Sequence, residues 1–152
     1  MLDELDKSML RQMSGLHELP IGAYNIRKNG EKAARNTTAN IDIVTKKDKP
    51  GMDIIVKPGT KGESVHIPVI LTQEGLNDAV YNTFEIGEGS DVLIVAGCGI
   101  HNPGDKKSQH DGVHEFFVRK GARIKYVERH FGEGSGNGER VLNPKTIIEV
   151  EE

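Results

Sequence analysis

The apolar positions of the chain change rhythm once. Near the start, Leu2, Leu5, Met9, Met13 and Leu16 recur at three- and four-residue steps, which traces one face of a helix. Asp3 suits the N-cap, Asp6 favours the positive helix start, and Gly15 suits the stop. A helix of about three turns is unstable alone, so its stripe must cover something. The expected role is to cap the open N-terminal end of the body that follows; docking onto a partner is the alternative. From Ala23 onward the rhythm is that of strands. Residues 23–27 read as a short strand ended by the turn Lys28-Asn29-Gly30, residues 31–40 are polar and ambiguous, and residues 41–44 (IDIV) form another strand.

Beyond residue 50 the strands repeat. Phe116-x-Val118-x-x-Gly121 matches Phe84-x-Ile86-x-x-Gly89, 32 positions earlier, and Ile54-x-Val56-x-x-Gly59 lies another 30 back. Ile148-x-Val150 continues the series at the last residues. A second apolar run follows each glycine: Val65 to Val69, Val92 to Val95, and Ile124 to Val127. Pro68 weakens the first of these, since it cannot donate to a ladder. A period of about 30 residues, built from strand-turn-strand units, is the signature of a β-solenoid; a β-sandwich with similar hairpins is the plainer alternative. Residues 1–18 are taken as an N-terminal helical segment and 19–152 as the β-domain, ending within a repeat.

Composition narrows the picture. At 152 residues the chain suits one domain. Aromatics make up only 5% and Trp is absent, so the core must be mostly Ile, Val and Leu. With 20 basic and 23 acidic residues the net charge is −3, which gives no basic bias toward nucleic acid. One cysteine excludes an internal disulfide and points to a reducing cytoplasm. No apolar run is long enough for a membrane-spanning helix.

Residues 95–134 hold that cysteine, Cys98, and four of the six histidines: His101, His110, His114 and His130. Cys98-x2-His101 with His110-x3-His114 resembles the spacing of a zinc or iron site, because thiolate and neutral imidazole are borderline-soft donors. Asp105 and Asp111 stand ready as further ligands or supports. The competing reading makes Cys98 a small buried hydrophobe and the histidines polar loop groups. Residues 97–112 are expected to form a long loop, and the glycine-rich 132–138 (GEGSGNG) a mobile tip. His66 and His130 are expected to face outward, and His17 to meet the C-terminal dipole of the first helix. The glycines at 132–138 lack the following helix of a dinucleotide fingerprint. Lys46, Lys47, Lys49, Lys57 and Lys61 form a basic patch, expected to be a solvated loop face. No serine-nucleophile motif is present.

Three stretches carry a family resemblance: 19–31 (LPIGAYNIRKNGE), 57–75 (KPGTKGESVHIPVILTQEG) and 95–134. They resemble the SufB/SufD proteins, and more narrowly the shorter SufB/SufD-like members of archaea and anaerobic bacteria. The resemblance implies an all-β, right-handed parallel β-helix with a short N-terminal helix. It further implies a non-enzymatic scaffold or accessory role in iron–sulfur cluster assembly, with a SufC-like ATPase and SufB/SufD-like subunits as partners. The resemblance implies no role for Cys98, His101, His110 and His114; on their spacing alone they are the candidate ligands for iron, an iron–sulfur cluster or zinc. The family's SufC-docking helices and its established cluster-assembly positions lie beyond this chain's last residue and are not transferred. A homodimer through the last rung is expected, since an open solenoid end offers an unpaired strand edge. The alternative function is a metal-dependent enzyme using the same Cys/His loop.

Overall fold

The computed structural model describes residues 2–14 and 19–152. The helix α1 (Glu4–Ser14) is followed by ten strands: β1 (Ala23–Lys28), β2 (Glu31–Asn36), β3 (Ile41–Thr45), β4 (Gly51–Val56), β5 (Lys61–Leu71), β6 (Asn77–Ile86), β7 (Asp91–His101), β8 (Ser108–Val118), β9 (Arg123–Glu133) and β10 (Arg140–Val150). From β4 onward successive strands alternate between two five-stranded sheets, ordered β2-β1-β5-β7-β9 and β10-β8-β6-β4-β3. Within each sheet β4 to β10 pair in parallel with the strand one coil away. The chain is therefore a parallel β-solenoid of about three turns.

The sequence period is the coil. Ile54 pairs with Phe84, Phe84 with Phe116, and Phe116 with Ile148, so one inward column runs through four strands. Phe84 and Phe116 are fully buried and stacked, with ring centroids 4.3 Å apart. Gly59, Gly89 and Gly121 occupy equivalent bends with φ of 77°, 67° and 70°, a left-handed conformation that glycine adopts without steric cost. The bends bond to each other: Gly59 N–H donates to the Glu88 carbonyl (2.8 Å) and Gly89 N–H to the Lys120 carbonyl (3.1 Å). Inward Ile, Val, Ala and Phe side chains from both sheets form the main core. Pro68 leaves its mark, because the ladder between β1 and β5 pairs Tyr24 with His66 and Arg27 with Val69 but skips the positions between.

The first coil is closed by chain reversal. β2 runs antiparallel to β1 and β3 antiparallel to β4, so each sheet ends on a short hairpin strand. The polar stretch that is ambiguous in sequence is the edge strand β2, whose Glu31, Lys32 and Asn36 are exposed. A charged, short edge discourages further pairing.

The helix does not cap that end. α1 lies across the outer face of one sheet, over β5, β7 and β9. Met9, Leu10 and Met13 bury against Ile26, Ile70 and Phe131. Gly99 makes room for this packing, since a Cβ there would sit 2.8 Å from the Phe131 ring and 3.1 Å from Met9. Asp3 and Asp6 form a reciprocal capping box, each accepting the other's backbone N–H at 2.9 and 2.8 Å. Lys28 reaches Asp6 at 2.6 Å and Asp3 at 3.4 Å, which ties the helix start to β1. The expectations for Gly15, Leu16 and His17 lie outside the described residues.

Two expected loops are structured otherwise. Of 97–112, residues 97–101 complete β7 and 108–112 begin β8, which leaves only 102–107 as loop. The glycine-rich tip stacks on that loop one coil earlier. A Cβ at Gly134 would lie 2.2 Å from the Asn102 carbonyl oxygen, and one at Gly136 would lie 2.1 Å from that of Gly104. Gly138 N–H donates to the Gly104 carbonyl at 2.9 Å. These glycines are there for close backbone approach.

Candidate functional site

The parity of β8 builds the site. Phe116 faces the core, so every second residue before it does too: His114, Gly112, His110 and Ser108 are all buried. Gly112 leaves a gap between the two imidazoles. The position a Cβ would take there is 3.1 Å from His110 Nε2 and 3.8 Å from His114 Nε2.

Hydrogen bonds fix which ring nitrogens face that gap. Asp78, one coil earlier, stands 3.2 Å from His110 Nδ1 and also accepts a fork from Arg27 at 2.8 to 3.3 Å. Burial alone would raise the Asp78 carboxyl, but hydrogen bonds from His110 and Arg27 hold it down to about 2. An ionised Asp78 only accepts, so His110 carries its proton on Nδ1. Tyr126 donates to Glu128 Oε1 at 2.6 Å, so its oxygen accepts from His114 Nδ1, also at 2.6 Å. His114 is pushed down to about 4, chiefly by burial, and Glu128 offsets this only in part. Both histidines thus direct Nδ1 away from Gly112, to Asp78 and Tyr126, and Nε2 toward it; on His114, whose charged form burial disfavours, that Nε2 is an acceptor.

The facing strand adds Glu128 and His130. His130 Nε2 is 3.4 Å from Glu128 Oε2, and both its ring nitrogens are buried without a hydrogen-bond partner. Together His110, His114, Glu128 and His130 line a cavity of about 10 Å³, bounded on β10 by Leu142 and Pro144. That is room for one water or ion.

The residues expected from the Cys/His spacing fall into two groups. His110 and His114 meet across Gly112. Cys98, on β7, is buried beside Val69, Leu71 and Ile100, one strand from His130. Burial, reinforced by Asp78, pushes its thiol well above the ordinary range. His101 sits at the far end of β7, with Nδ1 3.5 Å from Glu133 Oε1. Among the described residues no three His, Cys, Asp or Glu side chains converge in a ligand set. Of the two candidate supports, Asp111 accepts from Gln109 and Asn143 at 2.8 to 3.0 Å, and the Asp105 backbone N–H donates to Glu74 at 2.8 Å.

Sequence reasoning did not find Asp78, Tyr126 and Glu128, and it turned His130 to solvent. His66 is half-buried, with Nδ1 buried and unpaired. Part of the signal was available: stepping by two from Phe116 and from Tyr126, which aligns with Ile94, gives His110, His114, Glu128 and His130.

The fold and this layer define a class: a parallel β-solenoid whose apolar column gives way at one end to inward histidines and carboxylates. The chain is similar to an Archaeoglobus fulgidus protein described as an iron-sulfur cluster assembly SufBD family protein, with 34% identity over 108 residues. The match covers 69% of this chain and 27% of that relative, so the chain spans about a quarter of its length. No family model matches the chain, and no solved structure does. The likeness supports the SufB/SufD family. Among the described residues no helix is long and apolar enough to cross a membrane.

Proposed function

We propose that this chain is a member of the SufB/SufD family and serves iron–sulfur cluster assembly as a scaffold or accessory component. The observation that carries this reading is the 34% identity to a protein of that description. The solenoid built from stacked coils is in keeping with it. The chain acts through partners rather than by catalysis: a SufC-like ATPase and SufB/SufD-like subunits, in the cytoplasm. A second copy is a further partner. The outer edges of β9 and β10 pair with no strand among the described residues, and Ile147, Ile148 and Val150 are 37%, 48% and 67% exposed there.

Iron or a nascent cluster is cargo in this reading. His110 and His114, which flank Gly112 with Nε2 toward it, are the members of the expected set that would meet an ion first. Cys98 and His101 complete the expected set only after side-chain movement, and Cys98 must also lose a proton that burial retains.

Anaerobic purification of the tagged chain from its source cell tests the proposal. Co-purification of a SufC-like ATPase, with iron and acid-labile sulfide above a mock control, is the expected result. Absence of both, together with no visible chromophore after reconstitution with ferrous iron and sulfide, overturns it.

A further inference from the structure

The basic patch at 46–49 is not simply a solvated face. Lys46 and Lys49 turn toward a cleft of about 340 Å³ between the β1–β2 and β3–β4 hairpins, where Arg27, Lys32 and Arg35 join them. Among the described residues no carboxylate lines this cleft.

Two of the five cations are already neutralised. Arg27 forks onto Asp78, and Lys46 meets Asp53 at 2.5 Å and Thr83 Oγ1 at 2.9 Å. The other three have no ion pair among the described residues. Arg35 is half-buried and donates to two neutral oxygens, Asn25 Oδ1 at 2.9 Å and Thr45 Oγ1 at 3.0 Å. Those bonds hold the guanidinium in one orientation and leave Nη2 without a hydrogen-bond partner among the described residues. Burial disfavours its charge, and the more distant Asp42 compensates only in part. Lys49 lies 5.0 Å over the Tyr81 ring, and Lys32 is exposed at the rim. Met52, Ile67, Val69 and Val80 give the cleft an apolar floor.

We propose that this cleft binds a small phosphorylated molecule, with its phosphate held by Arg35, Lys32 and Lys49 and its apolar part resting on the floor. Three cations without a direct ion pair suit a dianion better than a single carboxylate. The Nη2 group of a guanidinium already held in place by two neutral oxygens offers its donors to a phosphate oxygen, and the two ammonium groups supply further charge. The volume lies at the low end for small-molecule sites, which favours a ligand of mononucleotide size or less over a dinucleotide. The site is separate from the histidine layer, so it stands whether or not that layer takes iron.

Calorimetry on the full chain at low ionic strength, with inorganic pyrophosphate, inorganic phosphate and acetate as probes, tests the proposal. Saturable one-site binding of pyrophosphate is expected, at least tenfold tighter than acetate. Arg35→Gln should weaken it tenfold or more, and Lys49→Gln, at the exposed rim, several-fold. Lys125→Gln, on the exposed face of β9, should leave it unchanged. Circular dichroism establishes that each variant is folded, and the rim variant decides the matter should Arg35→Gln not fold. No saturable binding, equal binding of acetate, or equal loss with Lys125→Gln overturns the site and leaves only diffuse attraction to basic side chains.

Discussion

Asp78 and His110 lie one above the other in adjacent coils, with the carboxylate 3.2 Å from His110 Nδ1. The same carboxylate takes the fork of Arg27, which lines the basic cleft. One buried acid thus joins the two polar regions of the solenoid. Asp78→Ala would strand a largely buried guanidinium and free the His110 ring. The expected cost is about 3 kcal/mol, read from urea unfolding. Asp78→Asn should cost less, because it keeps one acceptor for Arg27. Equal stability of Asp78→Ala and wild type would show that the pair is dispensable.

The stacked phenylalanines make the second prediction. Phe84→Ala or Phe116→Ala removes a fully buried ring from the central column and should cost about 3–5 kcal/mol. Phe116→Leu should lose less than half of that. Denaturant midpoints of the three variants check the order.

Two glycines separate backbone conformation from space. At Gly89, φ is +67° and a Cβ would meet nothing, so Gly89→Ala should cost about 1 kcal/mol from backbone strain alone. At Gly97 a Cβ would lie 2.3 Å from the Arg129 carbonyl oxygen. Gly97→Ala must push β7 and β9 apart and should be the more damaging of the two. Thermal unfolding of both variants tests the ranking.

The helix tether sets a pH dependence. Hydrogen bonding from Lys28 to the buried Asp6 raises the Lys28 ammonium above its usual value, against the smaller effect of burial. A raised folded value means that this contribution is complete below about pH 10.5 and is lost as pH climbs through the folded value. Wild type should therefore lose stability relative to Lys28→Met only in alkali. Hydrogen exchange in α1, followed from pH 8 upward at corrected intrinsic rates, reads the undocking directly.

Cys98 should be inert in the folded protein. Its thiol is buried and held protonated, so a disulfide reagent at neutral pH should modify it only at the rate of unfolding. Rapid modification without denaturant would mean that β7 opens far more readily than its pairing on both sides suggests.

The coil was legible in the sequence because its marks are local and repeated. Ile54, Phe84 and Phe116 recur at one phase, and Gly59, Gly89 and Gly121 follow at a fixed distance. The histidine layer was half legible. Spacing brought out His110 and His114, yet reading 97–112 as a loop discarded the alternation that turns both inward. Glu128 and His130 were lost because polar residues on a strand read as solvent-facing, whereas here they face the interior. Asp78 was hidden for another reason. Its partners Arg27 and His110 lie 51 and 32 positions away, and only stacking of coils brings them together. The helix kept its stripe but not its expected place, since the hairpin strands β2 and β3 already occupy the first coil's end.

The connections on the two sides of the solenoid differ in one respect. Between β4 and β5, β6 and β7, and β8 and β9 the linkers 57–60, 87–90 and 119–122 are of equal length, whereas on the opposite side they run 72–76, 102–107 and 134–139. The stretch from the end of one tight bend to the next grows only on that second side. Foreign peptide or a natural elaboration can therefore be accommodated there without disturbing the winding, while a residue added beside a tight bend has to be absorbed as a bulge at the strand start, as Gly62 is between Lys61 and Glu63.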